Sequence, residues 1–150
     1  MDHVVYLDKK ADELKKLLSG EKSMLIRGAT GRKIPYGRVN TGDILYLLEN
    51  DGSGLIRAKA DVSGVINSEK MDKVQSIALV NKYQDRLQLT KAQTERWAGK
   101  RYLVLIELTN LELLEPFPID KSEYGNMDDW LPVNNIKTVH LNLTTQKLIK

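Results

Sequence analysis

The chain has 150 residues, with 23 basic and 20 acidic side chains, a net charge of +3, 41% hydrophobic residues and no cysteine. That length suits one domain with a core of its own, so 1–150 is read as a single domain. The missing cysteine excludes disulfide scaffolds, zinc ribbons, thiol nucleophiles and iron–sulfur clusters, while a pI near 9.0 admits an anionic partner without demanding nucleic acid.

Val4 to Leu7 reads as a first strand. Asp8 follows as an N-cap, and Ala11, Leu14, Leu17 and Leu18 recur at helical spacing until Gly20 ends the helix. Met24 to Arg27 is a short strand, Thr41-Gly42-Asp43 a turn, and Ile44 to Glu49 an apolar strand. Asn50 to Gly54 marks a hairpin. The next strand alternates Ile56, Ala58, Ala60 and Val62 with Arg57, Lys59 and Asp61, so one face is buried and one is wet.

A helical segment is expected from Ser68, with Met71, Val74, Ile77 and Ala78 inward. Thr90-Lys91-Ala92-Gln93 is a capping box that opens a short helix, stopped by Gly99. Tyr102 to Leu108 is the most continuously apolar strand and is placed centrally. Pro116-Phe117-Pro118 and Asp128 to Pro132 read as irregular, with Trp130 docking on the core, and Val139, Leu141 and Leu143 alternate as a last strand. Short strands without regularly interposed crossover helices suggest a small mixed barrel, not a doubly wound sheet.

No apolar run approaches the roughly 18–20 residues of a membrane helix, and MDHVVYLDKK lacks the pattern of a signal peptide. A cytoplasmic protein with no membrane partner is the expectation. His3 and His140 lack second ligands at metal spacing, so no metal and no cofactor are expected. Gly28-Ala29-Thr30-Gly31 matches a KH-type GxxG loop only weakly and is read as a flexible turn. Asn142-Leu143-Thr144 is a sequon only in a secreted chain. Asp128 and Asp129 are adjacent, so they point apart and are read as a turn, not a shared acid–base pair.

The strongest functional signal is Gly20 to Asp43. Between those ends it carries Lys22, Arg27, Arg32, Lys33 and Arg38 against the single acid Glu21, with Gly28, Gly31 and Gly37 allowing close backbone approach. Arginine forks bind phosphate, and Tyr36 offers a ring for a base to stack on. Lys22, Arg27, Arg32, Lys33, Tyr36 and Arg38 are therefore the candidate nucleic-acid contacts. An interaction role for the acidic, aromatic stretch Asp120 to Trp130 is the bland competitor.

The order of these features resembles the ASCH domain of the PUA-like superfamily. The resemblance rests on Gly20-x-Lys22-x-x-x-x-Arg27, on Thr41-Gly42-Asp43 before an apolar strand, on the small helix Thr90 to Trp97, and on the Leu-Val-Leu-Ile-Glu-Leu strand within Tyr102 to Leu108. It covers about Val4 to Glu115, leaving 116–150 as an extension. It implies an α+β fold: a small mixed, mainly antiparallel barrel of about five or six strands with flanking helices, and a cleft lined by the Gly-x-Lys segment. It also implies RNA binding. For some members of this layout it implies instead a small amidohydrolase acting on acetylated cytidine, through a lysine, a threonine three residues on and a later glutamate. Lys22 matches the lysine, but Leu25 stands at the threonine position, where many members have glutamate, and Glu95 and Glu107 are the later carboxylates available for the glutamate. Leucine can be neither nucleophile nor general base. Ser23 shares the strand face but lies two residues away, roughly 6–7 Å, where about 1 Å matters. Binding of nucleic acid, RNA above all, without catalysis is therefore the expectation, with Lys22 and Ser23 the only catalytic candidates.

Overall fold

In a computed structural model, residues 1–120 and 129–140 are described. In chain order the elements are β1 (Asp2–Leu7), α1 (Glu13–Ser19), β2 (Met24–Ala29), β3 (Ile44–Glu49), β4 (Leu55–Asn67), α2 (Lys73–Lys82), α3 (Gln84–Leu87), α4 (Lys91–Trp97), β5 (Tyr102–Pro118) and β6 (Trp130–Asn134). The six strands form one sheet in the order β2-β5-β4-β3-β1-β6. Only β1 and β3 pair in parallel, and every other pairing is antiparallel. The sheet curls into a half-barrel, so the architecture is α+β with a mixed, mainly antiparallel sheet, as expected.

The inner face of the curl buries Val5, Leu7, Leu25, Leu45, Leu47, Ala60, Val104 and Ile106, with Leu14 and Leu17 of α1 closing one side. The outer face of β2 and β5 buries Met24, Ile26, Leu103 and Leu105 beneath Val80, Leu87, Leu89 and Trp97 of the α2–α4 layer. Leu103 to Ile106 are thus covered on both faces, which is why that stretch carries no alternation. β4 keeps its alternation because its other side is wet. Gly20, in the left-handed region at φ 83°, ends α1 as expected, and Thr90 and Gln93 form the expected capping box of α4.

Four local expectations are corrected. Asp8 does not cap the α-helix itself: its Oδ1 accepts the Ala11 N–H in a preceding turn, and α1 begins at Glu13. α2 starts after Asp72, which caps it with Gln75, and not from Ser68. It turns Ser76 and Val80 inward, while Val74 and Ile77 face solvent at 76% and 36% exposure. The inward serine is satisfied because its Oγ accepts the Gly99 N–H. Pro116 and Pro118 do not break the chain, because β5 continues through them. Past Glu107 that strand pairs with β4 alone, and a free edge tolerates proline. The stretch after Asp129 is a strand, β6, paired with β1. Leu141 and Leu143 of the expected last strand lie outside the described residues; Val139 is buried and His140 forms an isolated bridge with Ile119. Among the described residues no helix is long and apolar enough to cross a membrane.

Gly28, read as a turn glycine, lies inside β2. A Cβ there would sit 2.6 Å from Leu103 Cδ2 and 3.2 Å from the Tyr102 carbonyl oxygen. The glycine is a packing requirement of the β2–β5 pair, not a hinge.

His3 is fully buried. Its Nδ1 accepts from Trp130 Nε1 at 3.1 Å, and its Nε2 is 2.9 Å from Asp43 Oδ2. Because indole can only donate, Nδ1 must be bare, so Nε2 carries the proton and donates to Asp43. The neutral ring therefore ties β1, β6 and the loop before β3 together. Burial pushes the His3 pKa below 6.5, outweighing the Asp43 hydrogen bond and charge that raise it. For Asp43, burial raises the pKa but the hydrogen bonds from His3 and the Asn40 N–H hold it below its usual value.

Two outcomes follow from this packing. Gly28→Ala should destabilise the protein by about 1–3 kcal/mol, read as a lower urea midpoint with unchanged slope. A histidine depressed in the folded state is protonated first in the unfolded chain, so stability should fall as pH drops below about 6.5 towards the folded pKa. The loss should approach ~1.4 kcal/mol per pH unit, and urea titrations of His3→Gln should lose that slope between pH 6.5 and 5.

Candidate functional site

The site is built where β2 and β5 leave the barrel interior. β2 pairs Arg27 with Val104 and Ala29 with Tyr102. Strand alternation puts Leu25 and Arg27 on one face, as expected. Leu25 is fully buried in the core, whereas Arg27, two residues on, opens into a cleft of about 290 Å³.

The Arg27 side chain is only 8% exposed. Its Nη1 donates to the Ile26 carbonyl at 2.7 Å and its Nη2 to the Tyr6 carbonyl at 2.9 Å. Its Cζ lies 5.8 Å from the Trp97 ring centroid and 5.5 Å from that of Trp130, so two indoles flank the cation. Nε stands 3.3 Å from Asp129 Oδ2. The approach is off the N–H axis, and among the described residues that N–H makes no hydrogen bond. The charge is compensated while one donor is not.

Lys33 and Tyr36, on the loop after β2, form one wall; Arg96 and Trp97 of α4, with Lys100 and Tyr102, form the other. Tyr36 donates its hydroxyl to the Ser68 carbonyl, and the Gly37 N–H donates to Asn67 Oδ1 at 3.0 Å, so the loop is fastened to the end of β4. Tyr36 and Tyr102 meet edge to face at 5.5 Å, and Arg32 lies over both rings at 5.8 and 5.7 Å. Arg96 lies 4.3 Å over the Trp97 ring, with Nη2 at 3.5 Å from Asp129 Oδ2. Among the described residues, Arg27, Lys33, Arg96 and Lys100 thus line the cleft with a single acid, Asp129. Among the described residues, no cluster of three or more histidine or carboxylate side chains could hold a metal ion.

Of the residues expected at the site, Arg27, Lys33 and Tyr36 line the cleft, and Arg32 covers its tyrosines from the rim. Arg38 is exposed but lines no part of it. Lys22 does not reach it either. The side chain is fully buried, with Nζ 3.3 Å from Glu13 Oε2 and donating to the Leu87 carbonyl. Burial pushes the Lys22 ammonium below its usual range, against the opposing pull of Glu13. Ser23 accepts from Arg86 Nε at 3.2 Å, in a cluster where Arg86 pairs with Glu107. Neither catalytic candidate meets the cleft.

Arg96, Trp97, Lys100, Tyr102 and Asp129 were not singled out for this site by the sequence. The capping box located α4, but only the pairing of β2 with β5 brings the first four of these residues, about seventy positions away in sequence, beside Arg27. Asp129 arrives through β6, where its carbonyl accepts the Tyr6 N–H at 2.9 Å. Asp128 lies outside the described residues.

No protein-family model matches the chain, and no curated protein matches it in sequence. Among solved structures it is similar to ASCH from Zymomonas mobilis, with 17% identity and a TM-score of 0.62 over 99% of this chain and 93% of that one. A Tyr-to-Phe variant and a Ser-to-Ala variant of the same protein match with the same identity and TM-score, covering 96% and 94% of their chains. The likeness extends over almost the whole of each chain and shows an ASCH-type fold.

If Lys22 is structural, Lys22→Met should strand the Glu13 carboxylate and cost about 3–5 kcal/mol. Adding Glu13→Gln should recover part of that loss, and denaturation of the two variants side by side reads both effects.

Proposed function

We propose that this chain, with its ASCH-type fold, is a nucleic-acid-binding module, with single-stranded RNA as its ligand. The observation that carries the reading is the cleft itself: among the described residues, three cations and three aromatic rings line it around one buried guanidinium. Phosphates are met by arginine and lysine, and unpaired bases by aromatic faces and guanidinium planes. A cavity of about 290 Å³ suits one nucleotide drawn out of a strand rather than a duplex, whose bases are stacked and paired. The flanking Arg32 would take the neighbouring phosphate at the rim. The amidohydrolase alternative gains no support from the geometry, because Lys22 and Ser23 lie outside the cleft and Leu25 is core.

Anisotropy titration of a labelled short oligoribonucleotide tests this. Binding should weaken linearly with the logarithm of salt concentration, and Arg96→Gln should lower the slope by about 0.7, the share of one phosphate on a single strand. An equally tight duplex, or binding indifferent to salt and to Arg96→Gln, would overturn the reading.

A further inference from the structure

Among the described residues that line the cleft, one is an acid, and its place is specific. Asp129 Oδ2 lies between two guanidinium groups, 3.3 Å from Arg27 Nε and 3.5 Å from Arg96 Nη2. The two arginines come from β2 and α4, so the spot between them is an anion position made by tertiary structure. It is a built position. Arg27 is fixed by two backbone carbonyls, and Arg96 is stacked on Trp97.

Asp129 fills that position incompletely. Its carboxylate satisfies the charge of Arg27 but leaves the Nε–H, in a side chain nine-tenths buried, without a hydrogen bond among the described residues. The Asp129 backbone is anchored by its carbonyl, which accepts the Tyr6 N–H, and from there the carboxylate stands near Arg27 Nε without accepting its N–H. A phosphate carries its oxygens tetrahedrally and brings no such tether, so it can align with Arg27 Nε and Arg96 together. The carboxylate is also 31% exposed, which leaves it free to turn out to water when a stronger anion arrives.

We propose that Arg27 and Arg96 form the phosphate subsite of the cleft, and that Asp129 is a resident carboxylate that holds this subsite in the free protein and is displaced by the incoming phosphate. The inference rests on the reading of the cleft as a nucleic-acid site. It assigns Asp129 a competitive role. In the free state it offsets the cost of a buried guanidinium, and on binding it subtracts from affinity, so that only a ligand with further contacts to the aromatic wall outcompetes it. The opposite role, in which Asp129 reads the amino group of a base as an acceptor, predicts the reverse effect of its removal.

The test compares wild type, Asp129→Asn, Arg96→Gln and the double variant against oligouridylate, oligocytidylate and oligoadenylate of equal length. Inorganic phosphate is a second probe, followed by the Arg27 Nε–H resonance in NMR. Asp129→Asn should tighten all three oligonucleotides by about 3-fold or more and by equal factors, and Arg96→Gln in the same chain should remove the gain. Phosphate should shift the Arg27 resonance at lower concentration in Asp129→Asn than in wild type. Weaker binding, a change in base preference, or no change in either probe would overturn the inference. If no oligonucleotide binds any variant while phosphate still shows the Asp129 effect, the subsite stands and the nucleic-acid reading falls.

Discussion

A guanidinium has been taken out of water at the rim of the half-barrel, and the local structure is arranged around that cost. Burying an unpaired charge is prohibitive, so Arg27 must be solvated by protein. Two main-chain carbonyls, two indole faces and one carboxylate do so. They come from β1, β2, α4, β6 and the residue preceding β6, so Arg27 is a point on which five parts of the chain converge. Leu25, two positions earlier on the same face, sits in pure hydrocarbon. The transition from core to site takes place within a single step of strand alternation.

The neighbours of Arg27 are themselves held by polar contacts that leave little freedom. Trp130 is fixed by its indole N–H to a neutral, buried His3, which in turn is oriented by Asp43. Trp97 sits at the end of a capped helix and packs against the outer face of β2 and β5. Tyr36 is fastened through its hydroxyl to the end of β4. The cleft is therefore lined by aromatic side chains held beneath it, with Arg96 stacked on Trp97 and Arg32 over Tyr36 and Tyr102 at its rim. Such an arrangement pre-organises stacking surfaces and leaves electrostatics to the rim.

Much of the architecture was legible in the chain because local chemistry and tertiary structure agreed. The Gly20 stop, the Asn50–Gly54 hairpin, the alternation of β4 and the Thr90–Gln93 capping box each state a backbone geometry that the fold adopted. Where they disagreed, burial decided. Val74 and Ile77 carry an apolar signal, but α2 rotates to place Ser76 under Gly99, because a backbone N–H needed an acceptor there. Lys22 belonged to the most basic stretch of the chain, yet the residue leads into β2 beneath α1, where Glu13 and the Leu87 carbonyl receive it. Charge counted along a sequence does not say which way a side chain turns.

The sequence by itself determined the fold class and pointed to three of the residues that line the cleft. Hydrophobic periodicity and turn chemistry act over a few residues, so they specify strands, caps and hairpins, and they place Arg27, Lys33 and Tyr36 around one strand end. The other half of the cleft, Arg96, Trp97, Lys100, Tyr102 and Asp129, was decided only by tertiary structure. Its members are brought in by the antiparallel register of β2 against β5 and by the docking of β6 on β1. Those pairings are set by burial of two-faced strands across long chain separations. No local pattern encodes which partner a strand will choose, and so none encodes the carboxylate that the choice delivers to a buried arginine.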